Sequence, residues 1–119
     1  MYIRPGMKIS ISNAPDNLDD LLGRLPSDVE LAKNPENESL DLVLGFMENQ
    51  AMLEKGLPAL VRQIKADGAL WIAYHKGSSS VQTDINRDSI HKFAETLNLK
   101  GVAMVSINDN WSGFRFKKV

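Results

Sequence analysis

The segment that follows the apolar stretch 69–74 carries the side chains with the greatest chemical potential. An imidazole, an ammonium group, three serine hydroxyls and a carboxylate lie within ten residues and could bind an anion or transfer protons. The same residue types are also ordinary in a solvated connection between two elements, so both interpretations stay open. A serine triad is disfavoured because no G-x-S-x-G turn surrounds the serines. The candidates are His75, Lys76, Ser78, Ser79, Ser80 and Asp84.

A second candidate is the turn Asn13-Ala14-Pro15-Asp16-Asn17, which follows the apolar alternation of residues 7–12. In nucleotide-binding α/β proteins this turn usually carries glycines, which let the backbone approach a ligand. Asp16 is instead a typical helix N-cap, and Asp19 can support the same helix end. Carboxylates at this position compete with an anion for the positive end of the helix. The turn therefore favours helix capping over phosphate binding.

Two further side chains follow or begin strongly apolar segments. Glu48 comes directly after segment 40–47 and could form a carboxylate pair with Asp84, although no spacing requires it. Trp111 begins the last apolar segment and alternates with Phe114 and Phe116, which places it on the opposite face of a strand. It either forms the floor of a ligand crevice or covers the end of the sheet.

The composition bounds the class of protein. The chain has 119 residues, 43% of them hydrophobic, which is typical of one globular domain spanning residues 1–119. A net charge of -1 gives no general attraction to nucleic acid or to an anionic membrane. With no cysteine and two histidines, neither a metal site nor a thiol chemistry is predicted. No apolar run has the length of a membrane span or a signal peptide, so we expect a cytoplasmic protein.

The elements that must position these side chains alternate between strand and helix patterns. The helix at 49–66 contains Pro58, where we expect a kink or restart, and Gly68 is its expected C-cap. Asn86 is the expected N-cap of the last helix. Strands are predicted at 7–12, 27–32, 40–47, 69–74, 101–107 and 111–118, and helices at 17–25, 49–66 and 87–97.

This order predicts a three-layer α/β sandwich around a mostly parallel sheet that ends in an antiparallel hairpin. Right-handed crossovers place the helices at 49–66 and 87–97 on one face of the sheet. The other face receives only the short helix at 17–25, so an uncovered apolar patch and a homodimer are expected. The loops 13–17, 48–50 and 75–84 should meet at the carboxyl ends of the strands, where such sheets bind ligands.

The second half of the chain resembles the C-terminal half of class I S-adenosylmethionine-dependent methyltransferases. The residues that carry this resemblance are "DLVLGFM", "LPALVRQIKADGALWIAY" and the final "WSGFRFKK". The whole chain also resembles small bacterial proteins of unknown function with a truncated form of that fold. The matching positions are Pro5-Gly6-Met7, Asn13-Ala14-Pro15, Gly68 to Trp71, Thr83-Asp84 and Trp111-Ser112 with Arg115-Phe116. The resemblance implies a Rossmann-like fold and no particular activity.

The chain departs from those enzymes where they hold their cofactor. The turn at Asn13 lacks the glycines, Lys33 stands where an acid would bind the ribose, and about two strand–helix units are compressed into one. These departures predict a degenerate site without a cofactor. We therefore expect a non-catalytic module that binds an unknown small molecule or protein. The alternative is a small enzyme that uses the crevice with a nucleotide or an adenosyl-type ligand.

Overall fold

The strands form one sheet whose order confirms the predicted fold class. The computed structural model describes residues 4–13, 28–32, 36–75, 84–107 and 110–119. Within these residues the sheet has six strands in the order β2-β1-β3-β4-β6-β5. β1 to β4 pair in parallel, and β6 is antiparallel to both β4 and β5. The strands are β1 Lys8–Ser12, β2 Glu30–Leu31, β3 Leu40–Met47, β4 Ile64–His75, β5 Leu99–Ser106 and β6 Trp111–Lys118.

Two helices lie on the same face of the sheet, as the crossover rule predicted. They are α1, Gln50–Gln63, and α2, Arg87–Thr96. Leu53, Leu57 and Ile90 project from them into one apolar cluster with the β3, β4 and β6 side chains of that face. Neither helix is long and apolar enough to cross a membrane. The helix predicted at 17–25 lies outside the described residues.

The second face of the sheet has its own buried cluster. The cluster centres on Phe46, Trp71 and Trp111, and each of its members is at most 9% exposed. The expected uncovered apolar patch on this face is therefore wrong, because a single copy of the chain already buries these side chains. The large apolar residues that the described part of the chain does expose are Leu31, Val102, Met104 and Val119.

The junction between α1 and β4 differs from the prediction. The helix ends at Gln63, and Ile64 is already extended, with φ −86° and ψ 149°. Ile64 pairs with Leu40 of β3, so residues 64–68 begin a strand and Gly68 is not a helix C-cap. Pro58 lies within α1 without a restart of the helix. The helical carbonyl that Pro58 leaves without a donor belongs to Glu54, an exposed residue that water can reach.

Candidate functional site

The order of the strands places a switch point between β1 and β3. From β1 the chain moves outward to β2 and then returns to the other side of β1 as β3. In open α/β sheets the crevice beside the carboxyl ends of such strands is the usual ligand site. Asn13 follows β1, Glu48 follows β3, His75 ends β4, and Trp111 begins the antiparallel β6 at the same edge. The sheet thus brings these four predicted candidates to the end at which its parallel strands terminate. We call this end of the sheet the carboxyl edge.

His75 and Trp111 are direct cross-strand partners at the carboxyl edge. Their rings stack with centroids 4.0 Å apart and an interplanar angle of 29°. Phe46 meets Trp111 edge-on, with centroids 5.0 Å apart. Because Trp111 is only 6% exposed, it covers the end of the sheet as part of the core and presents little surface to a ligand.

Asp84 lies at the beginning of α1, a role that its position in the sequence did not indicate. Its Oδ1 accepts a hydrogen bond from the Gln50 backbone N–H at 2.8 Å. Asn49 Oδ1 accepts another from the Met52 N–H, also at 2.8 Å. Helix N-termini carry unpaired N–H groups and a positive partial charge, which make them common anion sites. Here two oxygens of the chain itself occupy that position, one of them from a carboxylate.

Asn13 adopts a left-handed conformation with φ 57°. Glycine is the usual residue in this region of backbone space, and asparagine is among the few others that enter it readily. The backbone after β1 therefore takes a glycine-like bend although no glycine is present. The remaining predicted candidates, Asp16, Lys76, Ser78, Ser79 and Ser80, lie outside the described residues.

Two buried polar atoms at the carboxyl edge have no hydrogen-bond partner in the described structure. They are Nδ1 of His75 and Oε1 of Gln50. On the opposite face, Tyr74 is buried beside Arg87, and this burial raises the pKa of its hydroxyl. A neutral imidazole nitrogen and an amide oxygen can bind a small polar group. Among the described residues, no group of three or more histidine or acidic side chains could hold a metal ion.

A second concavity lies at the opposite end of the strands, where the parallel strands begin. We call it the amino-end cleft, and its volume is about 440 Å³. The sequence did not indicate this cleft, because its charged residues are scattered along the chain and belong to no motif with a known reaction. Its lining residues are Arg4, Pro5, Gly6, Met7, Asp41, Leu42, Asp67, Gly68, Ala69, Trp71 and Arg115.

Solved structures with a similar fold include several S-adenosylmethionine-dependent methyltransferases. An Aquifex aeolicus enzyme of this kind is 12% identical, with a TM-score of 0.61 over 97% of this chain and 84% of that chain. A TehB-like enzyme from Corynebacterium glutamicum is 13% identical, with a TM-score of 0.58 over 98% and 82%. The B. subtilis tRNA methyltransferase TrmK is 9% identical, with a TM-score of 0.59 over 99% and 62%. At these identities the likeness shows the fold alone.

No protein-family model matches the sequence, and no curated protein sequence matches it. The chain thus has a Rossmann-like, methyltransferase-like fold. The resemblance to small bacterial proteins of unknown function stays a prediction.

Proposed function

We propose that this protein is a non-catalytic, methyltransferase-like binding module that does not hold S-adenosylmethionine in the usual manner. The observation that carries the proposal is the closed N-terminus of α1, where Asp84 Oδ1 accepts the Gln50 N–H at 2.8 Å. Asp84 occupies an N–H that a ligand would otherwise use, and its charge repels the carboxylate of an adenosyl amino acid as well as the phosphates of a nucleotide.

Two sequence features support the same proposal. The turn after β1 has Asn13 where a glycine-rich loop would let the backbone approach a cofactor. Lys33 stands where an acid would accept the ribose hydroxyls, and an ammonium group can only donate. Both changes remove contacts with an adenosyl group, and neither changes the fold. They leave a module that binds a molecule without catalysing a reaction.

Isothermal titration with S-adenosylmethionine and S-adenosylhomocysteine tests the proposal. We expect no stoichiometric heat with the unmodified protein. Stoichiometric binding that Asp84→Asn weakens, and that Asp67→Asn at the opposite edge leaves unchanged, would overturn it. A thermal-shift panel of nucleotides and small metabolites then identifies what does bind, because a ligand that prefers the folded state raises its stability.

A second candidate function is a small enzyme that uses the carboxyl edge with a nucleotide or an adenosyl-type ligand. The observation that favours it is the pair of buried atoms without partners, His75 Nδ1 and Gln50 Oε1. Adenosine offers donors and acceptors that both atoms could use. The imidazole NMR signals separate the two candidates, since His91 is an exposed internal control on α2. A saturable change at His75 alone supports the second candidate, and no change supports the first.

We further propose a single domain over residues 1–119, a cytoplasmic location and self-association as a homodimer. The surface that supports self-association is β5, which among the described strands pairs with β6 alone and exposes Val102 and Met104. Exposed strand edges readily pair with another chain. Light scattering tests this at micromolar concentration: twice the chain mass of 13.2 kDa supports it, and the chain mass itself refutes it.

A further inference from the structure

We propose that the amino-end cleft binds a small apolar monocarboxylate, whose carboxylate pairs with the guanidinium of Arg115. This site lies at the edge opposite the switch point, so it stands or falls independently of the proposed function. The inference rests on three features of the cleft: a cation without a partner, a single surplus positive charge and an apolar base.

The first feature is the side chain of Arg115, which lies on β6 directly opposite Trp71 of β4. Its Nε is buried and has no hydrogen-bond partner in the described structure. No ion pair within the described residues involves this guanidinium either. A buried N–H without a partner is unfavourable, whereas a planar guanidinium fits a carboxylate through two parallel hydrogen bonds. A carboxylate in the cleft would therefore supply the hydrogen-bond acceptor that the fold does not provide for Arg115.

The second feature is the charge balance around the cleft. Asp41 is already bound, because its Oδ1 accepts from Lys65 Nζ and its Oδ2 from the Lys8 backbone N–H, both at 2.8 Å. Asp67 also lies within electrostatic reach of Lys65. The lining holds two cations, Arg4 and Arg115, and two carboxylates, Asp41 and Asp67. Because Lys65, which does not line the cleft, already pairs with Asp41, one positive charge remains. This balance favours a monoanion, since a dianion would be repelled by both aspartates.

The turn Arg4–Met7 forms one wall of the cleft and holds the second arginine at its rim. The Met7 N–H bonds the Arg4 carbonyl at 3.3 Å, and Gly6 has φ +82°. Pro5 and Gly6 are the residues that a type II turn prefers at its two central positions. The "Pro-Gly-Met" segment of the sequence therefore has a structural purpose, which is to fold the chain back over the amino ends of the strands.

The third feature is the base of the cleft, formed by Leu42, Ala69 and Trp71. All three belong to the buried apolar cluster of this face. The cleft volume of about 440 Å³ lies within the range of roughly 300–1,000 Å³ that is usual for small-molecule sites. These three side chains are at most 9% exposed, so the apolar surface that a ligand can reach is that of Pro5 and Met7 on the wall of the cleft. An apolar body against this wall, with its carboxylate directed at Arg115, satisfies both parts of the cleft.

Three matched probes test the proposal in an NMR titration of the full chain: benzoate, phenyl phosphate and benzamide. They share a ring and differ in charge. We expect benzoate to shift the Arg115 Nε–H and Trp71 indole N–H signals to saturation by about 10 mM, ten times a weak Kd of about 1 mM. Phenyl phosphate should bind at least about tenfold more weakly because of the aspartates. Benzamide should cause no saturable shift.

Variants of one residue then separate charge from geometry. Arg115→Met should abolish benzoate binding, and Arg115→Lys should weaken it at least about tenfold because an ammonium group cannot form the paired hydrogen bonds. Arg62→Met, an exposed arginine on α1, is the matched control and should leave the affinity unchanged. Unfolding curves without probe establish that each variant is folded.

Several outcomes would overturn the proposal. The absence of a saturable benzoate shift would do so, as would equal binding of all three probes or tighter binding of phenyl phosphate. Undiminished benzoate binding in Arg115→Met would also do so, since it would place the probe elsewhere. None of these measurements involves an adenosyl compound, so failure here leaves the proposed function standing.

Discussion

The two edges of the sheet use their polar side chains in opposite ways. At the carboxyl edge, Asp84 and Asn49 complete the hydrogen bonding of α1, and His75 packs against Trp111. At the amino-end cleft, Arg115 lies beside an apolar base, and its Nε has no hydrogen-bond partner in the described structure. Of the residues that looked reactive in the sequence, Asp84 thus caps a helix and His75 packs against a core tryptophan, while the Nε of an arginine on a strand has no partner among the described residues.

The difference has a physical origin in the elements themselves. A helix that begins at an edge brings unpaired N–H groups, and nearby side-chain oxygens are drawn into satisfying them. The backbone N–H and C=O groups of a strand bond to neighbouring strands, so its side chains are not needed as their hydrogen-bond partners. Polar residues near helix beginnings are therefore weaker evidence of function than polar residues on the face of a strand.

The largest effect is expected at the base of the cleft. Trp71→Ala should lower the free energy of unfolding by about 3–5 kcal/mol, because the side chain is 1% exposed and its loss leaves a cavity. Urea unfolding followed by circular dichroism measures this, with Trp71→Phe as the milder control. A loss below about 1 kcal/mol would mean that the base of the cleft is not part of the core.

The next effect tests the structural use of the carboxyl edge. Asn49→Ala and Asp84→Ala should each lower the free energy of unfolding by about 1 kcal/mol, since each removes an oxygen that caps α1. Glu54→Ala on the exposed side of the same helix is the control and should change it by less than about 0.5 kcal/mol. If Asp84→Ala were neutral, its carboxylate would be available for a ligand and the contrast between the edges would fail.

A third effect has the opposite sign. Arg115→Met should raise the free energy of unfolding by up to about 1 kcal/mol, because it keeps an apolar stem and removes a buried group without a partner. Lys117→Met, two residues along the same strand and exposed, should change it by less than about 0.5 kcal/mol. Destabilisation by Arg115→Met would show that the guanidinium serves the fold.

The smallest effect concerns acid. The hydrogen bond from Lys65, followed by that from the Lys8 N–H, lowers the pKa of Asp41 below its ordinary value of 3.8. A lowered pKa in the folded state stabilises the protein above pH 3.8, and this contribution is lost as the pH falls through the folded value. Asp41→Asn should therefore flatten the acid limb of the stability profile below about pH 4 by well under 1 kcal/mol, because solvent screens the pair. Glu54→Gln should leave that limb unchanged.

Much of the fold could be predicted because some segments have only one suitable environment. Segment 40–47 is apolar at nearly every position, which fits a strand covered on both faces, and β3 has those bounds. Asn86 was predicted as an N-cap, and it caps α2 in a reciprocal box with Ser89. Here local chemistry and tertiary packing agree, so the pattern alone is sufficient.

The predictions fail where contacts between residues distant in the sequence determine the structure. Residues 64–68 continue a helical pattern and end in a glycine, yet pairing of Ile64 with Leu40 makes them a strand. Gly68 lies there under tight packing, since a Cβ would meet the Leu40 carbonyl oxygen at 3.0 Å. The amino-end cleft was invisible for the same reason: Arg4, Asp67 and Arg115 meet only through the sheet.

The position of β6 between β4 and β5 has a consequence for how the protein is made. During translation β5 leaves the ribosome before β6, yet β6 is the one described strand with which β5 pairs. Until residues 111–118 emerge, β4 keeps a free edge whose residues 70–74 are all apolar, and β5 has no place in the sheet. At about 5–20 residues per second this interval lasts on the order of a second. During that interval a nascent chain is most exposed to strand pairing with its neighbours on the same messenger RNA.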